Sequence, residues 1–377
     1  MNIKMVDLKG QYDKIKNEID SEIQKVIDNT SFINGPKVNE FSENLSKYLR
    51  GVNVVPCANG TDALQIALMA LDLKPDDEVI LPVHTYVATA EVIALLQLKP
   101  VFVDVHPDFF TIDITQVENK ITEKTKAIVP VHLYGQCADM ELILEIANKY
   151  DLFVIEDTAQ AIGAVFTFSD GRECVAGTMG NIGTTSFFPS KNLGCFGDGG
   201  AIFTNDDHYA EKLRSIVNHG MKVRYYHDNV GVNSRLDSIQ AAILNIKIKY
   251  LDLYNQARIE AANYYDDAFL NHPNIEIPYR VSYSSHTFHQ YTLKTNGIDR
   301  NKLKDELAKE KVPAMIYYPV PLHLQKAYKD ARYKDGDFPI TESLSKSVIS
   351  LPMHTELDKK QQDFIINKFL KKIETIK

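Results

Sequence analysis

The chain has 377 residues, more than one compact core usually holds, which predicts two domains. It is 44% hydrophobic and 24% charged with a net charge of −8, a globular composition that speaks against broad binding to nucleic acid or to an anionic membrane. Cys57, Cys137, Cys174 and Cys195 make no CxxC pair, no apolar run reaches membrane-spanning length, and the polar first residues are no signal peptide, so neither a zinc site, a disulfide framework nor an anchor is expected, and a cytoplasmic protein is.

From Gln11 to Ile27 the pattern is helical, with Ile15, Ile19, Ile23 and Ile27 at four-residue spacing. Pro36 opens a second helix with Phe41, Leu45 and Leu49 on one side. Strand and helix then alternate. The strand-like runs are VNVVPC, EVILPV, PVFVDV, KAIVPVHLY, LFVIED, TTSFF and GAIFT, and helices are predicted over 61–71, 88–96, 140–149 and 207–217. Seven apolar strands with helical crossovers imply an α/β domain, a largely parallel sheet covered on both faces, ending near Ile246. From Lys247 the cadence changes to α+β. A helix over 257–269 is followed by a strand over 286–294, a helix over 300–309, the segment VPAMIYYPVP and a closing helix over 359–376. The expected domains are therefore 1–246 and 247–377.

Ligands of open α/β sheets bind outside the carboxyl ends of the strands. Five candidate groups fall at such ends: Asn59-Gly60-Thr61, His84 with Tyr86, Tyr134-Gly135, Asp157 with Gln160, and Ser186 with Lys191. The amides opening the helix after Gly60, with the Thr61 hydroxyl, suit a phosphate, although Asn59 or Thr61 also reads as an ordinary N-cap. Tyr86 can stack on a planar ring or simply pack at a strand end. Asp157 ends the LFVIED run with its four apolar residues, where an unpaired carboxylate is costly, so a charged partner is expected: an arginine or a protonated ring nitrogen. Ser186 and Ser190 can donate to phosphate or punctuate the turn. Lys191 lies 34 residues beyond Asp157 in a loop closed by Gly197-Asp198-Gly199-Gly200. A loop lysine opposite a strand-end acid is what pyridoxal 5'-phosphate (PLP) requires: an amine to capture the aldehyde, and an acid to keep the pyridine nitrogen protonated.

Together these segments resemble the DegT/DnrJ/EryC1/StrS family of sugar aminotransferases, PLP enzymes with the aspartate aminotransferase-like fold type I. The resemblance spans nearly the whole chain and is carried by CANGTDAL, TYVATAE, VIEDTAQAIGA, SFFPSKNLGCFGDGGAIFTND, VGVNSRLDSIQAAIL and SLPMH, in that order. It implies a seven-stranded, mostly parallel sheet with a smaller C-terminal α+β domain. It further implies that Lys191 holds the cofactor covalently, that Asp157 meets the pyridine nitrogen, that Gln160 lies near the ring oxygen and that Tyr86 stacks on the ring. Gly60, Thr61 and Ser186 would contact the phosphate, and Asn233 would reach the phosphate of the partner subunit, so a homodimer with shared active sites is implied. Glutamate would be the amino donor and a nucleotide-diphosphate keto sugar the acceptor. Dehydratases of the family carry histidine at the lysine position, so Lys191 speaks against that reaction.

Phe188 before Pro189, with KNLGCFGDGG after it, resembles the branch that aminates C-3 of a 3-oxo sugar. Within that branch the chain looks most like enzymes making UDP-2-acetamido-3-amino-2,3-dideoxy-glucuronate for the O-antigen of bacterial lipopolysaccharide. Arg235 is then a candidate for the sugar carboxylate or for cofactor-side anions. Tyr317-Tyr318-Pro319 stands where such relatives commonly have His-Tyr-Pro, which could mark a different hexose. Phe32, Asn34 and Gly35 are expected at the mouth of the site. His289, Tyr291, His323, Arg224, Tyr225 and Tyr226 are further candidates, or packing residues. The alternatives are a dTDP-3-oxo-6-deoxyhexose aminotransferase and, from another class, a non-catalytic PLP-binding regulatory protein. A nicotinamide-dependent protein is disfavoured because no GxGxxG follows the first strand.

Overall fold

The structure is a computed structural model describing residue 1 and residues 3–376. Helix α1 (Leu8–Asp28) starts earlier than its apolar pattern because the Asp7 carboxylate caps it, accepting from Gly10 N. Its four-residue isoleucine spacing overshoots the 3.6-residue turn, so the stripe drifts off the buried face: Ile15 and Ile19 are buried whereas Ile27 is exposed. Helix α2 (Pro36–Tyr48) begins at its proline and buries Phe41 and Leu45.

The seven predicted strands form one sheet. They are β1 (Asn53–Cys57), β2 (Glu78–Pro82), β3 (Lys99–Val103), β4 (Thr125–Ile128) and β5 (Phe153–Asp157), then, past a small ladder of β6 (Val165–Thr167) and β7 (Glu173–Val175), β8 (Ile182–Ser186) and β9 (Gly200–Thr204). The order is β1-β9-β8-β5-β4-β2-β3. The β2–β3, β2–β4, β4–β5 and β5–β8 pairs are parallel, and β9 runs antiparallel to both β8 and β1. That reversal follows from the connection. Residues 187–199 form no crossover helix, so the chain turns straight back. The loop carrying Lys191 is therefore fixed at the carboxyl end of β8.

Helices α3 (Gly60–Ala70), α4 (Ala88–Leu95), the short α5 (Ile114–Val117), α6 (Met140–Tyr150) and α7 (Asp207–Ile216) make the connections, within two residues of expectation where one was made. Strand β9 is buried at all five positions, as a strand covered on both faces requires. An exposed ribbon of β10 (Met221–Val223) and β11 (Tyr226–His227) follows α7.

Helix α8 (Ser238–Lys247) passes through one 3-10 turn into α9 (Leu251–Phe269), so the helix predicted from 257 starts six residues earlier and Ile246 and Lys247 both lie inside α8. A three-stranded antiparallel sheet, β12 (Ile275–Glu276), β13 (Tyr291–Thr295) and β14 (Val348–Leu351), packs with α9, α10 (Arg300–Lys309) and α12 (Lys359–Ile376) around Tyr265, Phe269, Leu293, Leu303 and Phe369. Helix α11 (Pro339–Ser347) precedes β14, its first amides capped by the buried Asp104 carboxylate. The strand predicted from 286 begins only at Tyr291. Residues 286–290 bond instead to Gly135, Tyr134 and Asn192, and Phe288 takes φ 45°.

Candidate active site

Two residues beyond the end of β1 comes Asn59, whose side chain accepts from Asp62 N at 2.8 Å and caps the start of α3. A Cβ on Gly60 would lie 2.6 Å from Ser186 Cβ, and one on Gly200 2.4 Å from the Asn59 carbonyl. Glycine at both positions lets the start of α3 meet the end of β8. The opening amides of α3 and Ser186 are thus neighbours at the carboxyl edge of the sheet, Thr61 lies in the first turn of that helix, and the helix dipole favours an anion there.

Two adjacent carboxylates end β5 and differ in kind. Glu156 is fully buried and satisfied: it meets His132 Nε2 at 3.0 Å and accepts from the amides of Gly177, Met179 and Gly180 at 2.8, 2.7 and 2.6 Å. Asp157 accepts only from Thr89 Oγ1 and Ala159 N, both at 3.1 Å. Burial pushes its carboxyl up, against the opposing charge of Lys191, and among the described residues no arginine pairs with it. Of the two partners expected from the sequence, the arginine is absent. Lys191 is half-buried, and burial pulls its amine down to about 8 against the pull of Asp157.

An aromatic wall faces this pair. The Tyr86 ring is 56% exposed and lies 6.2 Å from that of Tyr318. Gln160 accepts from Tyr134 N at 2.8 Å and donates to Tyr318 Oη at 3.2 Å. Tyr134 Oη donates to the Tyr317 carbonyl and meets His84 Nε2 at 3.2 Å. Burial pulls His84 down to about 4, so it is neutral at pH 7 and donates to the phenol. The chain from His84 through Tyr134 therefore pins the Tyr317-Tyr318 segment over the site.

The structure brings Lys191, Asp157, Gln160, Tyr86, Tyr317 and Tyr318 together, beside the Gly60, Thr61 and Ser186 cradle. Among the described residues Phe32, Asn34, Asn233 and Arg235 make no hydrogen bond to Lys191 or Asp157, and Ser234, between the last two, accepts from Ala58 N at 3.1 Å. Asn34 and Arg235 line a cavity of about 220 Å³ against β1, where Arg235 reaches Asn218 Oδ1 at 3.5 Å. Phe32 and Asn233 are exposed, and the SFINGP turn is tied to α8 by Ser238 N donating to the Phe32 carbonyl at 3.0 Å. Arg224, Tyr225 and Tyr226 lie on the exposed ribbon. Tyr291 is buried in the C-terminal core and donates to Asp266 at 2.9 Å, while His323 is buried against Glu342 at 3.0 Å; both pack rather than face the site. Sequence reasoning missed Thr89, Asn192, Lys247 and Arg258. Thr89 is one of many threonines, and nothing local marks it as facing β5. Lys247 and Arg258 sit inside helices, where buried cations bonded to backbone carbonyls have no sequence signature.

Residues 13–370 match the model of the DegT/DnrJ/EryC1/StrS aminotransferase family. The chain is 45% identical over 98% of its length to a Geobacillus stearothermophilus protein named pleiotropic regulatory protein, covering 98% of it. It is 45% identical over 94% of its length to UDP-2-acetamido-2-deoxy-3-oxo-D-glucuronate aminotransferase of Pseudomonas aeruginosa, covering 96% of that protein. It is 38% identical over 95% of its length to dTDP-3-amino-3,4,6-trideoxy-alpha-D-glucose transaminase of Streptomyces venezuelae, covering 93% of it. Among solved structures, a DegT DnrJ EryC1 StrS aminotransferase from Brucella abortus superposes with a TM-score of 0.91 at 40% identity, covering 98% of this chain and 99% of that one. NtdA from Bacillus subtilis, solved with bound cofactor PMP, superposes with a TM-score of 0.87 at 34% identity, covering 96% and 82%.

The chain belongs to the DegT/DnrJ/EryC1/StrS aminotransferase family. It has the fold type I architecture and is a PLP-dependent sugar aminotransferase. Its own donor set suits that cofactor: a helix start that tolerates no Cβ at Gly60, a buried carboxylate with no arginine partner among the described residues, a half-buried lysine whose amine burial pulls down to about 8, and an open tyrosine ring. No helix among the described residues is long and apolar enough to cross a membrane.

Proposed function

We propose that the protein moves an amino group from glutamate to C-3 of a 3-oxo sugar carried on UDP, a 2-acetamido-2-deoxy hexose or hexuronate, for amino sugars of O-antigen. The observation that carries the reading is the Lys191–Asp157 pair, in which a half-buried amine at about 8 faces a buried carboxylate that no arginine pairs with among the described residues. The name of the P. aeruginosa relative supports the UDP-linked 3-oxo sugar. The bound cofactor supplies an aldehyde that captures the donor's nitrogen and a ring that takes up its electrons.

The protein's groups do the rest. Lys191 Nζ would anchor the cofactor at rest; once displaced, as free base, it would take the proton from the donor's α-carbon and, as ammonium, deliver it to the carbon that had been the aldehyde. Asp157 would hold the proton on the pyridine nitrogen. Tyr86 would cover one ring face, Gln160 would lie at the ring oxygen, and Gly60, Thr61 and Ser186 would hold the phosphate. Tyr317 and Tyr318 wall the sugar side. Phe32, Asn34, Asn233 and Arg235 stand apart from Lys191 in their own chain, which supports a homodimer in which they complete the partner's site. We take 1–246 as the cofactor-binding domain and 247–377 as the small domain.

The S. venezuelae relative favours a second reading, a dTDP-linked 3-oxo-6-deoxyhexose, and the G. stearothermophilus name a third, a regulatory protein without turnover. One experiment separates the three. The visible spectrum of the PLP-loaded protein is followed as glutamate is added, and UDP-linked and dTDP-linked 3-oxo sugars are then offered. A glutamate-driven shift to the pyridoxamine form with turnover of the UDP sugar is expected. Preference for the dTDP sugar overturns the nucleotide, and a spectrum indifferent to every amino donor overturns the enzyme reading.

A further inference from the structure

The turn that carries Lys191 closes on itself. Lys191 N donates to the Phe188 carbonyl and Cys195 N to that of Phe187, both at 2.8 Å. Its two limbs touch at Gly194, where an added Cβ would lie 2.3 Å from the Pro189 carbonyl oxygen and 2.9 Å from that of Phe188. Gly194 therefore follows Lys191 in sequence yet rests on the residues that precede it, and whatever holds Gly194 holds both flanks of the lysine.

Lys247, the last residue of α8, reaches that point. Its Nζ donates to the Gly194 carbonyl at 2.6 Å and lies 5.1 Å from the centroid of the Phe196 ring. The residue is 2% exposed, and no carboxylate pairs with it among the described residues. Neighbouring side chains tie the same turn: Asn192 Nδ2 donates to Asn255 Oδ1 of α9, and Phe196 N to Gln240 Oε1 of α8, both at 2.8 Å. A buried ammonium without a counter-charge is costly, so a side chain that only filled this space would do better as methionine. Burial pulls the amine down to about 8, which still leaves it mostly protonated at pH 7. Its charge is directed at one backbone carbonyl and one ring face of the lysine-bearing turn.

We propose that Lys247 is a positioning residue for Lys191: its ammonium fixes the Gly194 carbonyl, and through it both limbs of the turn, so that the Lys191 amine is held ready for the cofactor's aldehyde. Lys247 acts through the backbone and needs no contact with the cofactor. The inference rests on Lys191 as the residue that bonds to PLP.

The test uses full-length Lys247→Met, which keeps the length of the side chain and loses the donor and the charge. Cofactor-free protein is mixed with increasing PLP and reduced with borohydride, and mass spectrometry follows PLP fixed at Lys191. Binding of pyridoxamine phosphate, which occupies the phosphate cradle but cannot bond to the lysine, is measured beside it by calorimetry. Trapping in the wild-type protein tests Lys191 itself; only the difference between the two proteins tests Lys247. Loss of a hydrogen bond from a charged donor should raise the PLP concentration for half-maximal trapping about tenfold, with the pyridoxamine phosphate affinity kept within about twofold. Amides of 187–199 should also exchange with deuterium faster in the cofactor-free variant. An unchanged half-maximal concentration overturns the proposal. So does an equal loss of affinity for both forms of the cofactor, which would mean that Lys247 supports the whole site rather than the position of the lysine. If Lys247→Met does not fold, Lys247→Gln, whose amide stops one bond short of the ammonium, is read in the same way.

Discussion

Replacing Gly60 with alanine tests whether the start of α3 is a phosphate cradle. The added Cβ would sit 2.6 Å from Ser186 Cβ and 3.2 Å from Ser186 Cα. Ordinary carbon contacts lie at about 3.5–4.0 Å, so α3 and β8 must part by about 1 Å. No side-chain rotation relieves this, because both opposing atoms move only with the β8 backbone. Overpacking of this kind costs about 1–3 kcal/mol, while better helix propensity returns at most about 1 kcal/mol. The shift also carries Ser186 away from the α3 amides. Losing one or two charge-assisted hydrogen bonds to a phosphate costs about 1.5–3 kcal/mol each, so PLP affinity should fall about 10- to 100-fold or more. The assay is a PLP titration followed by visible absorbance, with thermal unfolding of the cofactor-free variant run beside it. A dissociation constant within about twofold of wild type would refute the cradle, since a tenfold change corresponds to 1.4 kcal/mol.

Adjacent carboxylates should respond in opposite directions. Asp157 is raised in the folded state, so its ionisation opposes folding: the stability cost is absent below the unfolded value and grows as pH rises through the folded one. Asp157→Asn should therefore raise the unfolding temperature of the cofactor-free protein at pH 7, while lowering transamination by about 100-fold or more because the ring nitrogen loses its acid. Glu156→Gln places a donor among four donors and should cost about 2–4 kcal/mol, read as a lowered midpoint in urea. Equal effects of the two substitutions on stability would contradict this division of roles. Lys191→Ala should abolish multiple turnover yet still bind PLP without a covalent bond, as shown by dialysis and mass measurement; sustained turnover in that variant removes Lys191 from its role. Tyr134→Phe frees the Tyr317 carbonyl and should raise the KM for the sugar several-fold with a smaller change in kcat, and an unchanged KM would mean that Tyr317 and Tyr318 are held by other contacts.

Much of this protein was determined by the sequence alone, because the relevant signals are local. Apolar runs of strand length, an N-cap before α3 and a proline opening α2 fix elements through contacts only a few residues away. The order of the seven strands, and the places where they end, put the candidate residues at one edge of the sheet. Strand β9's reversal was not read from the sequence; the structure shows it as a connection over 187–199 that forms no crossover helix. What the tertiary structure decided depends on groups distant in sequence. Which of Glu156 and Asp157 is satisfied turns on the 177–180 turn and on Thr89. The neutrality of His84 and the depression of Lys191 come from burial, which no spacing reports. Residues 286–290 leave the strand because Gly135, Tyr134 and Asn192 take their hydrogen bonds. Sequence periodicity records which face of an element is apolar; it does not record which polar atom is left without a partner, and the chemistry of this site lies in those atoms.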